Sequence, residues 1–464
     1  MRNQARPSWI LVSALIAVLA LVVAACGPAA SPGASPGGAS PGGGTPGAGT
    51  PGGGSPAAGS PGAGGDLIML STQLSPAAEQ TAMRDVILAD YEGSVEFVAA
   101  TGAEFADRIT AEATAGGTVS LLGGLHGDFA PYTDNLMDLS DLADELSDRG
   151  FVEEYMELGR FGGDQQLYIP WLQATYIMAA SEEAMQYLPE GADQNALTWQ
   201  NITDWGKAIF DETGERRLGF PAGEMGLWHR FFQGYGYPAF TGAVNTKFNS
   251  PEAVEFWEWL RDTWQYVNPQ ALNYDFMQEP LQSGEVWVAW DHVARLRAAF
   301  TANAEGFVAM PSPAGTAGRA FMPVLAGLAI PASAPDPEAA MNLIRYLTQP
   351  EVSSVTVKQV GFYPPTTAEL PEGLDPGDQE MADAVAAQEA AGDAIRALLP
   401  IGLGDQGGAY NAVFRNAFTS IVINNEDIQA TLDREATNLQ TVLDTVEAPC
   451  WAPDPPSEGA CQVE

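Results

Sequence analysis

Leu167-Tyr168-Ile169-Pro170-Trp171-Leu172-Gln173-Ala174-Thr175-Tyr176-Ile177-Met178 holds two extended runs, Leu167 to Pro170 and Tyr176 to Met178, joined by Trp171 to Thr175. Pro170 cannot donate to a ladder, which disfavours a central place in a sheet. The stretch reads as a crossover between two lobes. At 464 residues the chain is long enough for two such lobes with substantial cores.

Upstream, Leu67 to Leu70 is a short apolar run that reads as a buried strand. Ser75-Pro76 follows, an N-cap with proline at the first helical position, opening a helix to about Tyr91. Val95 to Ala99 is a second strand and Glu104 to Ala115 a second helix, stopped by Gly116-Gly117. Thr118 to Leu122 is a third strand, leading into a glycine-rich loop at Gly123 to Gly127. This alternation implies a parallel sheet with right-handed crossovers. Ligands of such sheets sit beyond the carboxyl ends of the strands, which puts Ser71-Thr72-Gln73 and Gly124 to Asp128 beside any cleft.

Downstream, Thr198-Trp199 caps a helix whose Trp199, Ile202, Trp205 and Ile209 share a face. Ser250-Pro251-Glu252 opens another, with Ala253, Trp257, Leu260 and Trp264 at core spacing. Val286 to Trp290 reads as a buried strand; Phe307 to Met310 and Phe321 to Ile330 are extended. Asp336-Pro337-Glu338 opens a helix stopped by Pro350, and Asp378 to Leu399 and Ala409 to Val446 are mostly helical.

The N-terminus has a different character. Arg2 and Arg6 precede an uncharged apolar run, Trp9 to Ala25, rather short for a spanning helix. It ends in Val23-Ala24-Ala25-Cys26-Gly27, which resembles a bacterial lipobox, with Val23 in place of the commoner leucine. Residues 1–25 are thus expected to be a cleaved signal and Cys26 to carry a lipid; an uncleaved anchor helix is the alternative. Gly27 to Gly65 has no charged residue and repeats Ser-Pro-Gly or Thr-Pro-Gly. Such a stretch cannot bury apolar surface, so residues 26–65 read as a lipidated tether reaching roughly 35 Å. Cys450 and Cys461 remain, expected to close a small C-terminal disulfide loop in an exported chain, the alternative being two free thiols. The net charge of −39 leaves no basic footprint for nucleic acid.

Several blocks fall in a familiar order. The crossover leads to Thr198-Trp199-Gln200-Asn201-Ile202, then to Leu281-Gln282-Ser283-Gly284-Glu285-Val286-Trp287-Val288-Ala289-Trp290. Gly327-Leu328-Ala329-Ile330-Pro331 precedes the Pro337-Glu338-Ala339-Ala340 helix, and Gln359-Val360-Gly361-Phe362-Tyr363-Pro364-Pro365 closes the series. From Asp66 to about Arg434 the chain resembles the extracellular solute-binding proteins of ATP-driven importers, in the sugar-binding class that includes maltose-binding protein. The resemblance implies an α/β, periplasmic-binding-protein-like fold: two lobes, a hinge, and a ligand cleft between them. Lobe one would hold residues 66–171 and 310–360, lobe two 172–309 and 361–464 with its C-terminal helices. It further implies a small-molecule solute and ABC permease subunits as partners; with the net charge it suggests a monomeric body, and with Cys26 a lipid-anchored place on the outer face of the cytoplasmic membrane.

A sugar offers apolar C–H faces to aromatic rings and hydroxyls to carboxylates and amides. The aromatic candidates are Trp171, Trp228, Trp290 and Tyr363; the polar ones are Gln73, His126, Asp128, Gln173, Glu224 and Asp291. Ordinary packing competes for each aromatic and a simple surface or turn role for each polar residue. His126, His229 and His292 lack metal-ligand spacing, and no cofactor or catalytic motif is expected. An amine, peptide or polyol ligand, a sensor role and an exported glycosidase are the competing readings. A basic residue dominating the cleft would suit an anion, and the loops expected there show none.

Overall fold

The computed structural model describes residues 67–115, 117–367, 370 and 372–463. The signal segment, Cys26 and the tether lie outside the described residues. These described residues form one compact unit.

The first sheet has the order β2-β1-β3-β10-β4, from β1 (Leu67–Ser71), β2 (Val95–Ala99), β3 (Leu121–Leu125), β4 (Ile169–Ala174) and β10 (Val324–Ala329). β1 runs parallel to β2 and β3, as the upstream alternation predicts, and β10 is antiparallel to β3 and β4. Both faces are covered. Met69, Leu121, Ile169 and Trp171 face one core; Leu70, Leu122, Tyr168 and Leu325 face the other. This two-residue alternation is the pleat of a strand buried on both sides. Pro170 sits on the edge strand, opposite a register shift in β10 at Ala326 and Gly327, where its missing N–H costs no central ladder bond.

The second sheet has the order β6-β7-β5-β8, from β5 (Tyr176–Ser181), β6 (Leu218–Gly219), β7 (Val288–His292) and β8 (Phe307–Met310). Tyr176, Met178, Val288 and Trp290 face an aromatic core; Ile177, Ala179 and Ala289 face a smaller one. β9 (Arg319–Phe321) pairs with β11 (Ala394–Arg396) beside this lobe. Helix starts are set by side-chain caps read from the sequence. Thr198 accepts from the Asn201 N–H at 3.2 Å, Ser250 from Ala253 at 3.2 Å and Asp336 from Ala339 at 3.0 Å.

Three segments pass between the sheets. The first passes at Thr175, between β4 and β5, three residues later than the expected boundary at Trp171 and Leu172. The second passes at Met322-Pro323, because β8 pairs with β5, so residues 310–321 belong with lobe two and not with lobe one. The third follows the helix Pro350–Val360, where Tyr363 and Gln173 exchange backbone hydrogen bonds of 2.8 and 2.9 Å. Gly361, at φ +71°, ends that helix in the left-handed region.

β3 also differs from the expected Thr118 to Leu122. It runs on through Gly123 and Gly124, and the expected loop is strand plus a short helix, His126–Phe129. A Cβ on Gly124 would lie 3.2 Å from both Phe105 and Phe129, so glycine here permits close packing within the strand. The C-terminal helix Ile428–Thr445 is followed by the Cys450–Cys461 disulfide. In that loop Asp454 accepts from the Val244, Asn245 and Thr246 backbones at 2.9 to 3.1 Å, fixing the tail to lobe two.

Candidate ligand cleft

Beyond the carboxyl ends of β1 and β3, the turn Leu125–Asp128 folds back on itself. Asp128 Oδ2 accepts from the Leu125 N–H at 2.9 Å and from Thr72 Oγ1 at 2.8 Å. Gln73 Nε2 in turn donates to Thr72 Oγ1 at 2.9 Å. Facing this turn is the lobe-two helix Trp228–Phe231, with Arg230 on it, and the helix Gly407–Phe418, with Asn411. A cavity of about 150 Å³ lies between, lined by Gly127 and Asp128 from lobe one and by Arg230, Leu403, Gly407 and Asn411 from lobe two. A larger hollow of about 400 Å³, around Tyr274, Glu279 and Glu285, touches only lobe two. Only the smaller one can sense both lobes.

Burial raises the Asp128 carboxyl above its ordinary value, and the Arg230 guanidinium works against that rise across the cleft. Arg230 Nη1 donates to Gln233 Oε1 at 2.9 Å, and Gln233 Nε2 donates to Asn411 Oδ1 at 2.8 Å. Arg295, on the helix after β7, lies with its guanidinium carbon 4.3 Å from the centre of the Phe276 ring. Its charge opposes the burial that raises Glu79 of lobe one to about 7 and Asp291 to about 7. Burial, with Arg230, Arg415 and Arg295 nearby, pushes His229 down to about 2; burial and Arg295 push His292 to about 3.

The expected site residues separate into three groups. Asp128 lines the cavity and Gln73 supports it through Thr72. Gln173 and Tyr363 are joined at the third crossing, where Gln173 Oε1 is buried without a hydrogen-bond partner among the described residues. The rest are placed elsewhere. Trp171 is packed in the lobe-one core, 3% exposed. Trp290 faces the aromatic core because the pleat aligns it with Tyr176, on which it stacks at 4.7 Å. Trp228 stacks on Phe231 at 4.4 Å in the same core. His126 is stacked on Phe161 at 4.6 Å, with Nδ1 3.2 Å from the Tyr168 hydroxyl. Asp291 is fully buried and holds the Met277 and His292 N–H groups at 2.8 and 2.7 Å. Glu224 is exposed and lines no part of the cavity.

Sequence reasoning missed Arg230, Arg295 and Asn411. Arg230 lies two residues after Trp228, and nothing in the spacing separates a cleft arginine from a surface one.

Residues 83–391, more than half of the chain, match the bacterial extracellular solute-binding proteins. The chain belongs to that family. It is an extracytoplasmic binding protein for a small solute, of the kind that serves ABC importers. No curated protein sequence matches it. Among solved structures it is similar to UgpB from Mycobacterium tuberculosis in complex with glycerophosphocholine, at 18% identity and a TM-score of 0.64, covering 82% of this chain and 99% of that one. Maltose-bound MalE3 from T. maritima gives 16% and 0.63, covering 82% and 100%. The sugar-binding protein MalE from Xanthomonas citri gives 13% and 0.65, covering 82% and 97%. The two-lobed fold with an inter-lobe cleft is shared with these proteins. Among the described residues no helix is long and apolar enough to cross a membrane.

Proposed function

We propose that this solute-binding protein is a lipid-tethered, monomeric receptor on the outer face of the cytoplasmic membrane. It takes up a carbohydrate or related hydroxylated solute between its lobes and hands it to ABC permease subunits. The observation that carries the reading is the cavity lined by Asp128 from one lobe and by Arg230 and Asn411 from the other. A solute there touches both lobes, so its binding energy depends on their separation. A ligand with that differential affinity favours the closed arrangement, which a permease can then recognise. Carboxylate, amide and guanidinium groups together suit a rim of hydroxyls. The sugars bound by T. maritima MalE3 and by the X. citri protein support the same class. Cys26 would hold the lipid and residues 27–65 would let the body stand off the membrane.

The test is unfolding of the protein against a panel of mono- and oligosaccharides, amines and short peptides. A ligand at a hundred times its dissociation constant adds about 2.7 kcal/mol of stability. A rise with a sugar is expected; a rise only with amines or peptides removes the carbohydrate class. Fatty-acid labelling that persists in Cys26→Ala removes the proposed anchor.

A further inference from the structure

With 59 acidic residues against 20 basic ones, an arginine in this chain has carboxylates in ample supply. Arg297 pairs with Asp378 at 2.8 Å and Arg345 with Glu145 at 2.8 Å. Arg230 and Arg295 do not: among the described residues neither forms an ion pair within 4.0 Å. Arg415, the third arginine near His229, is spent on structure, donating to the Gly223 and Gly226 carbonyls.

Arg230 is partly buried and lines the cavity, and its side chain makes one hydrogen bond among the described residues, to Gln233. Arg295 packs against Phe276, and its Nη1 is buried without a hydrogen-bond partner among the described residues. Both charges act on Tyr176 and on His229, and the Tyr176 ring meets that of His292, three residues before Arg295, at 5.0 Å, which puts the two guanidinium groups in one neighbourhood. Burial raises Glu79 to about 7 against the pull of Arg295, and raises Asp128 above its ordinary value against that of Thr72, Leu125 and Arg230. A guanidinium taken out of water without an anion is costly, and its planar fork matches carboxylate and phosphoryl oxygens. The cavity lining also contains no aromatic ring on which a neutral sugar face could stack.

We propose that the captured solute carries an oxyanion, a carboxylate or a phosphoryl group on a hydroxylated carbon frame, and that Arg230 and Arg295 bind it; this rests on the receptor reading above. Lobe one would then supply acceptors for the hydroxyls through Asp128, while the arginines of lobe two hold the charge.

Calorimetry on the full-length chain in detergent tests this with matched sets: glucose, glucuronate and glucose 6-phosphate; glycerol, glycerate and glycerol 3-phosphate. A charged member is expected to bind at least tenfold more tightly than its neutral partner, and which charged member wins separates carboxylate from phosphoryl. Its affinity should weaken several-fold between low and high salt. Arg230→Gln and Arg295→Gln should each lose tenfold or more for that member, with Arg230→Lys retaining part. If the glutamine variants do not fold, the matched sets and the salt series on the unaltered protein decide. Neutral members binding as well as charged ones overturn the oxyanion and leave the receptor reading intact. Charged binding unaffected by both folded glutamine variants overturns the assignment to these arginines. If no compound binds, the oxyanion proposal falls for both classes, and the sugar panel above decides the carbohydrate reading separately.

Discussion

On the lobe-one side of the cleft, Asp128 is held by its own turn and by Thr72, so its direction is set before any ligand arrives. On the lobe-two side, Arg230 leans on a single glutamine and Arg295 on an aromatic face. The supports behind them differ as well. Lobe one backs its turn with a sheet flanked by largely aliphatic cores, whereas lobe two backs its arginines with a dense aromatic mass. In that mass Trp228, Phe231, Phe232, Trp290 and Phe418 meet at centroid distances of 4.4 to 6.3 Å. The acceptor wall is thus oriented by hydrogen bonds and the cationic wall by packing.

The strongest way to break that comparison is to remove the packing. Trp228 is 1% exposed, and its neighbours are themselves too tightly packed to collapse into the space it would leave. Trp228→Ala is expected to cost about 3–5 kcal/mol in chemical denaturation, a cavity loss typical of large aromatics. Arg230 and His229 follow it directly in the same short helix, so affinity should fall along with stability. A variant that loses affinity at unchanged stability would show instead that the indole is a ligand platform.

A second contrast lies in titration. Burial holds the His126 imidazole of lobe one neutral, pushing it down from 6.5 to about 4. An unfolded chain takes up that proton below pH 6.5 and the folded one does not. The histidine's contribution is therefore intact above pH 6.5 and is lost as pH falls toward 4, by on the order of 3 kcal/mol. In lobe two His229 and His292 act in the same sense. Asp291, raised to about 7, acts in the opposite one, favouring the fold most below the ordinary carboxyl range and least above pH 7. Denaturation of the unaltered protein and of His126→Phe at pH 7 and pH 4.5 separates these effects. The variant should lose about 2–3 kcal/mol less on acidification; an equal loss would mean that His126 is charged in the fold.

Sequence patterning made the fold legible where it carries a period. The upstream strand and helix alternation, the caps at Thr198, Ser250 and Asp336, and the edge position of Pro170 all follow from local chemistry. Strand partners distant in sequence are not legible in this way: nothing near Met310 says that β8 joins β5. Of the candidate site, loop position alone leads to Asp128, which lines the cavity, and to Gln73 behind it. Ring type points equally to Trp171, Trp228 and Trp290, which are packed in the cores, since a tryptophan on a pleat or helix reads the same in sequence whether its face meets solute or core. Arg230 and Arg295 stand out only through what surrounds them, the one lining the cavity and the other holding a buried Nη1 without a hydrogen-bond partner among the described residues.

The mildest change sharpens the comparison from the lobe-one side. Thr72 Oγ1 donates to Asp128 Oδ2 and accepts from Gln73 Nε2, so Thr72→Val removes both bonds while keeping shape. Asp128 would still accept from the Leu125 N–H, so its carboxyl would loosen without leaving the turn. The stability loss should be about 1.5–3 kcal/mol, the usual range for a hydrogen bond to a charged group. Affinity for whichever solute the panel identifies should fall a few-fold, through a less defined acceptor, while the salt dependence set by the arginines stays as it was. Glu224→Gln, at an exposed position outside the cavity, serves as the control and should change stability by less than about 0.5 kcal/mol. If Thr72→Val alters the salt dependence instead, the two walls do not divide acceptor and charge between them, because removing a neutral hydroxyl from the acceptor side would then have moved the cationic one.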